Sequence, residues 1–287
     1  MKKNIIFLGS TGFLGYPILK KIRSKNNIIQ INSLPTNKKN IINIKNFKRK
    51  IHILEKFKPE IIIDLGWSGI PNYSLENSFT NLKNKIFFYE NILKIKTIKK
   101  IIITGTCYEY ENKNKTCIEH DKVSYNHNLS WAKLSTFNFL EQKCSELKIN
   151  LIWLRIFYAY GSGQRNVSLI PHIINSIKSN IEPSLRNLDH KNDFIHKDDI
   201  ANLIKILIRK NIKSGPYNVG TGKSISVRDI CNLIYKIFDI KMPSFENSYN
   251  KKINFVANIT KIVKATNWKP KILLNEKVLK KIINDGT

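Results

Sequence analysis

The apolar runs in the first half of this chain are continuous, rich in isoleucine, and each is followed by a stretch of helical periodicity. Strands are expected over residues 4–8, 28–31, 41–44, 61–65, 101–104 and 150–156. Helices are expected over 13–24, from the end of the third strand to residue 57, over 79–95 and over 130–146. A strand without polar-apolar alternation needs cover on both faces, which parallel strands joined by crossover helices provide. The pattern therefore predicts an α/β chain built on a doubly wound parallel sheet.

Past residue 160 the pattern is less regular, with helices expected over 169–178, 197–209 and 227–238 and extended pieces at 194–195 and 217–219. This part reads as a smaller α/β substrate-binding lobe over 161–287, with some elements returning to the sheet of 1–160. Asp198 and Asp199, just before the apolar run 200–208, read as a helix N-cap pair.

Gly9, Thr11, Gly12, Phe13, Leu14 and Gly15 lie in a G-x-x-G-x-x-G run directly after the first strand, at the opening of the first helix. That context suits a dinucleotide: Gly9 allows the tight turn, Gly12 admits a pyrophosphate, and Gly15 permits close helix packing, while N–H groups of the helix start face the phosphates. A carboxylate at the end of the second strand would select NAD, but Asn32 and Ser33 stand there, with Lys38 and Lys39 nearby. The cofactor is expected to be NAD or NADP.

Lys+Arg 49 against Asp+Glu 21 gives a net charge of +28, a field able to attract nucleic acid or anionic ligands. Nearly all of it is lysine scattered among Ile and Asn, with few, distant arginines, so no nucleic-acid partner is expected. Cys107, Cys117, Cys144 and Cys231 have no metal or disulfide spacing, and no metal is expected. No apolar run approaches the roughly 20 residues of a membrane span. A cytoplasmic enzyme without a membrane partner is the expectation.

Further segments carry a resemblance. They are 61–66, the helix-borne Asn81, the strand end 104–110, the run 154–161, the stretch 192–199, and 215–222 followed by 226–230. Together with the glycine run the chain resembles the extended short-chain dehydrogenase/reductase superfamily, and within it the NAD-dependent epimerase/dehydratase family acting on nucleotide sugars. The resemblance implies a Rossmann sheet, hydride transfer at a sugar ring carbon by an epimerase, dehydratase or ketosugar reductase, and a homodimer serving surface polysaccharide synthesis. It further implies cofactor contacts at Leu65, Gly66, Asn81, Lys133 and Phe157, and substrate contacts at Trp67, Tyr158, Arg165 and Arg186.

The family's chemistry uses a Ser or Thr, a Tyr and a Lys, the last two sharing a helical face four residues apart. Thr106 and Lys133 match, but Leu129 stands where the tyrosine is expected. Tyr125 or Tyr108 could supply the phenol. Alternatively Lys133 is the base and Asp64 or Glu109 the acid, as in some inverting dehydratases of the superfamily. A dinucleotide-binding scaffold or sensor that has lost catalysis is the competing reading.

Overall fold

The isoleucine runs receive the double cover they require. The computed structural model describes residues 1–33, 40–185, 187–245 and 253–286. Its first half runs β1 (Asn4–Leu8), α1 (Gly15–Ile22), β2 (Asn27–Asn32), β3 (Ile41–Asn43), α2 (Ile51–Phe57), β4 (Ile61–Asp64) and α3 (Leu75–Ile92). Then follow β5 (Lys100–Thr104), β6 (Thr116–Cys117), α4 (Asn128–Glu146) and β7 (Asn150–Ile156). The remainder adds β8 (Tyr158–Tyr160), α5 (Leu169–Lys178), β9 (Lys191–Asn192), β10 (Phe194–His196), α6 (Lys197–Arg209) and β11 (Gly215–Val219). It continues with β12 (Ile225–Ser226), α7 (Val227–Ile237), β13 (Asn254–Ala257), α8 (Thr260–Thr266) and α9 (Glu276–Asn284).

Seven parallel strands form one sheet in the order β11-β7-β5-β4-β1-β2-β3. The chain builds outward from β1 to β3, then returns to β1's other side with β4, so the strand order reverses between β1 and β4. In such sheets a crevice opens beyond the strand C-termini at that reversal. One face is covered by α1 and α6, where Ile5, Phe7 and Ile63 meet Ile18, Ile200 and Ile204. The other is covered by α3 and α4, where Ile6, Ile62 and Ile101 meet Phe88, Ile92 and Leu140.

α3 begins at residue 75, a turn earlier than periodicity suggests, because Ser74 Oγ accepts the Asn77 N–H at 3.2 Å and so caps the helix. A further apolar cluster packs Ile170, Ile173 and Ile174 of α5 with Ile230 and Ile234 of α7 and Leu279 of α9. Asp193 joins β10's approach to the segments after β11 and in β13. Its buried carboxylate accepts from Thr221 N–H (2.7 Å), Thr221 Oγ1–H (2.6 Å), Gly222 N–H (2.9 Å) and Ala257 N–H (3.2 Å).

The expected N-cap role of Asp198 and Asp199 is corrected. His196 caps α6, its Nδ1 accepting the Asp198 N–H at 3.2 Å. Asp199 lies within the first turn of the helix, where its Oδ2 accepts the N–H groups of Lys271 (2.9 Å) and Ile272 (2.8 Å).

Candidate active site

The β1–α1 turn and the β4 exit meet at the crevice. Gly9 has φ +75°, and a Cβ there would lie 2.8 Å from Gly66 N. A Cβ on Gly15 would lie 2.0 Å from Gly9 O, so α1 can sit this close to β1 only without a side chain. At Gly12 the nearest such contact is Gly9 O at 3.4 Å, leaving the turn open toward the cleft. The N–H groups of Phe13 and Leu14 have no backbone or side-chain acceptor among the described residues. An open glycine and unspent N–H donors at a helix start form a cradle for a dinucleotide's phosphates. The cavity beside it, about 250 Å³, is lined by Thr11, Gly12, Asn32, Ser33, Leu65, Gly66, Trp67, Asn81 and Lys85, among others.

Asn32, at the end of β2, accepts the Ser10 hydroxyl at 3.2 Å through Oδ1, and its amide nitrogen has no protein acceptor among the described residues. Lys38, Lys39 and Arg186 lie outside the described residues. Asn81 lines the cavity, yet its amide is spent on the β4 exit loop: Oδ1 accepts the Ser68 N–H (2.8 Å) and Nδ2 donates to Ser68 O (3.1 Å) and Asn77 O (2.8 Å). Its local role is therefore to shape the loop that carries Trp67.

α4 turns Lys133 and Leu129 inward together, at 7% and 4% exposure. Lys133 Nζ donates to Thr104 O at 2.6 Å and lies 4.3 Å from the centroid of the Trp67 ring. Burial, reinforced by the positive charge of Lys85, lowers its pKa to about 7 against the opposing pull of Asp64 and Glu109. Thr106 follows β5 and caps the short helical turn Cys107–Glu109, accepting the Tyr108 N–H at 3.3 Å. Its hydroxyl proton remains available. Thr106 and Lys133 thus stand at one end of β5, one on the strand's exit and one reaching its last carbonyl.

The two carboxylates considered as acids are saturated by donors. Glu109 is fully buried and accepts from Arg155 Nε (2.7 Å), Trp153 Nε1 (3.1 Å) and Thr106 N–H (2.8 Å). Asp64 accepts from Lys85 Nζ (2.5 and 2.6 Å), Tyr89 OH (2.8 Å) and Gly66 N–H (2.9 Å). Lys85 and Tyr89 were not singled out by sequence, although Asn81, Lys85 and Tyr89 recur at four-residue intervals on α3, the spacing of one helix face.

The tyrosines separate. Tyr125 is 46% exposed and its OH accepts from Asn138 Nδ2 at 3.0 Å. Tyr108 stacks on His127 with centroids 5.4 Å apart and planes at 10°, and lies near Tyr73 (6.4 Å) and Tyr158 (6.1 Å). Burial raises its pKa to about 12. Lys113 Nζ lies 4.4 Å from its ring centroid. Burial and the Lys113 charge lower the His127 pKa.

This ring cluster was only partly foreseen. Sequence reasoning named Tyr108 and Tyr158 but missed Tyr73 and His127, which come from separate loops. Arg165 is exposed, yet its charge reaches Tyr73, where it opposes the upward pull of burial on the phenol. Phe157 does not line the glycine cavity: it is buried against Tyr110 and Phe255, with centroids 6.4 and 5.1 Å away.

Residues 5–220 match the NAD dependent epimerase/dehydratase family. The chain belongs to this family. The family's cofactor is a nicotinamide dinucleotide, which the glycine cradle fits. The chain is 26% identical over 278 residues to ADP-L-glycero-D-manno-heptose-6-epimerase of Brachyspira hyodysenteriae, covering 86% of each. It is 22% identical over 250 residues to dTDP-4-dehydro-6-deoxyglucose reductase of Escherichia coli, covering 82% of this chain and 78% of that one. Among solved structures it superposes on dTDP-glucose 4,6-dehydratase of Bacillus anthracis in complex with NAD with a TM-score of 0.83. That match has 18% identity and covers 98% of this chain and 96% of the other. The proteins this chain is similar to thus include ones named as a nucleotide-sugar epimerase, reductase and dehydratase. No helix among its described residues is long and apolar enough to cross a membrane.

Proposed function

We propose that this protein interconverts an alcohol and a ketone at a ring carbon of a nucleotide sugar, with Lys133 moving the proton. The observation that carries the reading is Lys133 itself, buried at the exit of β5 beside Trp67 with a pKa of about 7. A group poised near neutrality serves as acid or base with little driving force lost either way. The dinucleotide held by Gly9, Gly12, Gly15 and the Phe13 and Leu14 N–H groups supplies hydride donation and acceptance. Lys133 as ammonium gives a proton to the ketone oxygen, or as amine takes it from the hydroxyl. The Thr106 hydroxyl hydrogen-bonds the same oxygen, and the rings of Tyr73, Tyr108 and Tyr158 face the sugar.

One proton carrier suits ketosugar reduction, its reverse, or epimerisation through a ketone. Dehydration needs a second acid, and Asp64 and Glu109 are committed to Lys85 and Arg155. Asn32 presents an amide donor where a carboxylate would repel a 2′-phosphate, which supports use of both NAD and NADP. Leu75, Phe79 and Phe87, at 60, 55 and 45% exposure along α3, support a homodimer through that helix. Light scattering tests the dimer: Phe79→Glu should yield a monomer.

The deciding experiment combines mass spectrometry of the cofactor released on denaturation with NADH and NADPH oxidation assays on 4-keto nucleotide sugars. Retained NAD supports epimerisation, and NADPH-dependent turnover supports reduction. In the reductive direction the rate should fall as pH rises through about 7, because the ammonium is the acid. Failure to bind either dinucleotide refutes the proposal. Leu129, apolar and buried where a phenol is expected, favours the second reading of a non-catalytic dinucleotide-binding scaffold or sensor. Leu129→Tyr separates the two: a large gain of turnover marks a decayed site, whereas unchanged or lost turnover marks one built around Lys133.

A further inference from the structure

Two buried lysines converge on the turn that follows β4, and the carboxylate between them is claimed by one. Lys85 comes from α3, lines the glycine cavity beside Gly66, and donates to both oxygens of Asp64. Tyr89, one helical turn further on, donates to the same carboxylate at 2.8 Å, and the Gly66 N–H closes it from the loop at 2.9 Å. Asp64 and Lys85 are 1% and 8% exposed, so solvent does little to screen them. Lys133 comes from α4, its Nζ 4.3 Å from the centroid of the Trp67 ring, and forms no ion pair among the described residues. The charged groups that bear on it are Lys85 on α3, Asp64 on β4 and Glu109 after β5. Glu109 is held by Arg155 at 2.7 Å.

We propose that Lys85 is a positioning residue for Lys133: paired with Asp64, whose carboxylate Tyr89 and the Gly66 N–H also hold, it keeps that carboxylate from pairing with Lys133 and sets a positive charge near it. Lys133 is thereby left able to release and recover a proton, where a direct pair with Asp64 would lock it as ammonium. The inference rests on the reading of Lys133 as the proton carrier. It assigns Asp64, Lys85 and Tyr89 a role in proton chemistry that none of them performs by touching substrate.

The test is the titration of Lys133 in the full-length protein labelled with 13C-lysine, its side-chain NMR signal identified by its loss in Lys133→Met. In the unsubstituted protein the midpoint should lie near 7. Lys85→Met, which leaves Asp64 without its cation, should raise it by at least about one unit. Lys85→Arg, which keeps the charge, should stay within about half a unit. Should Lys85→Met not fold, Asp64→Asn serves: it removes the carboxylate, keeps Lys85, and should lower the midpoint. A midpoint near 7 that neither Lys85→Met nor Asp64→Asn moves overturns the inference and leaves the proton-carrier reading standing. A midpoint near the ordinary lysine value of 10.5 in the unsubstituted protein overturns both.

Discussion

Lys133→Met should stabilise the fold, and by more in acid than in base. The folded-state pKa of Lys133 is about 7 against an ordinary 10.5. Below pH 7 both folded and unfolded chains carry the proton, and the fold bears the full cost of a buried ammonium, about 5 kcal/mol for a shift of this size. Between pH 7 and 10.5 the unfolded chain holds a proton that the folded one has lost, so stability rises with pH by up to about 1.4 kcal/mol per unit. Above that window the cost is gone. Methionine keeps the apolar stem and removes the titration. Its loss of the hydrogen bond to Thr104 O is shared by both conditions. The stabilisation at pH 6 should therefore exceed that at pH 9 by on the order of 3 kcal/mol. Urea unfolding of both proteins at the two pH values measures the difference. Equal increments at pH 6 and pH 9 would refute the argument that Lys133 sheds its charge near neutrality.

The two outer glycines of the cradle should behave differently from the middle one. Gly15→Ala puts a methyl 2.0 Å from Gly9 O and should destabilise the fold by about 3 kcal/mol or more in urea. Gly12→Ala meets only Gly9 O at 3.4 Å, so its unfolding midpoint should hold while dinucleotide affinity, read by calorimetry, drops at least about tenfold. Unchanged affinity would exclude Gly12 from the phosphate cradle. Asp193→Asn exchanges one acceptor oxygen for an amide NH2 facing existing donors, and should cost about 2–3 kcal/mol in denaturant unfolding. A loss below about 0.5 kcal/mol would show that Asp193 does not hold the segments after β11 and in β13 together.

What could be read from the sequence was what depends on neighbours in the chain. Ile5-Ile6-Phe7 and Ile61-Ile62-Ile63 announce strands buried on both faces because their pattern carries no polar side. The glycine run announces its turn because three close approaches must be met within seven residues. Lys133 was found through the family resemblance, on a helix whose place local periodicity gives. Tyr125, eight residues before Lys133, would share that face only if the helix extended upstream. The helix instead starts at Asn128, with His127 extended at φ −110° and ψ 131° as its cap. Asp193, Asp199 and the Asp64–Lys85 pair were illegible because their partners lie 21 or more residues away, and only tertiary folding brings them together.

The last strand to join the main sheet, β11, pairs with β7 along residues 215–219, although the two are separated by the whole of 157–214. Synthesis therefore delivers β7, with Leu151, Ile152, Trp153 and Leu154 at its centre, well before the segment that will cover its outer edge. At typical elongation rates those intervening residues take roughly 3–12 s to make. Throughout that interval the nascent chain presents an unpaired row of N–H and C=O groups on the outer edge of this largely apolar strand. Chaperone contact and wrong strand pairing would concentrate there, and a slow stretch of translation after residue 160 would prolong the exposure.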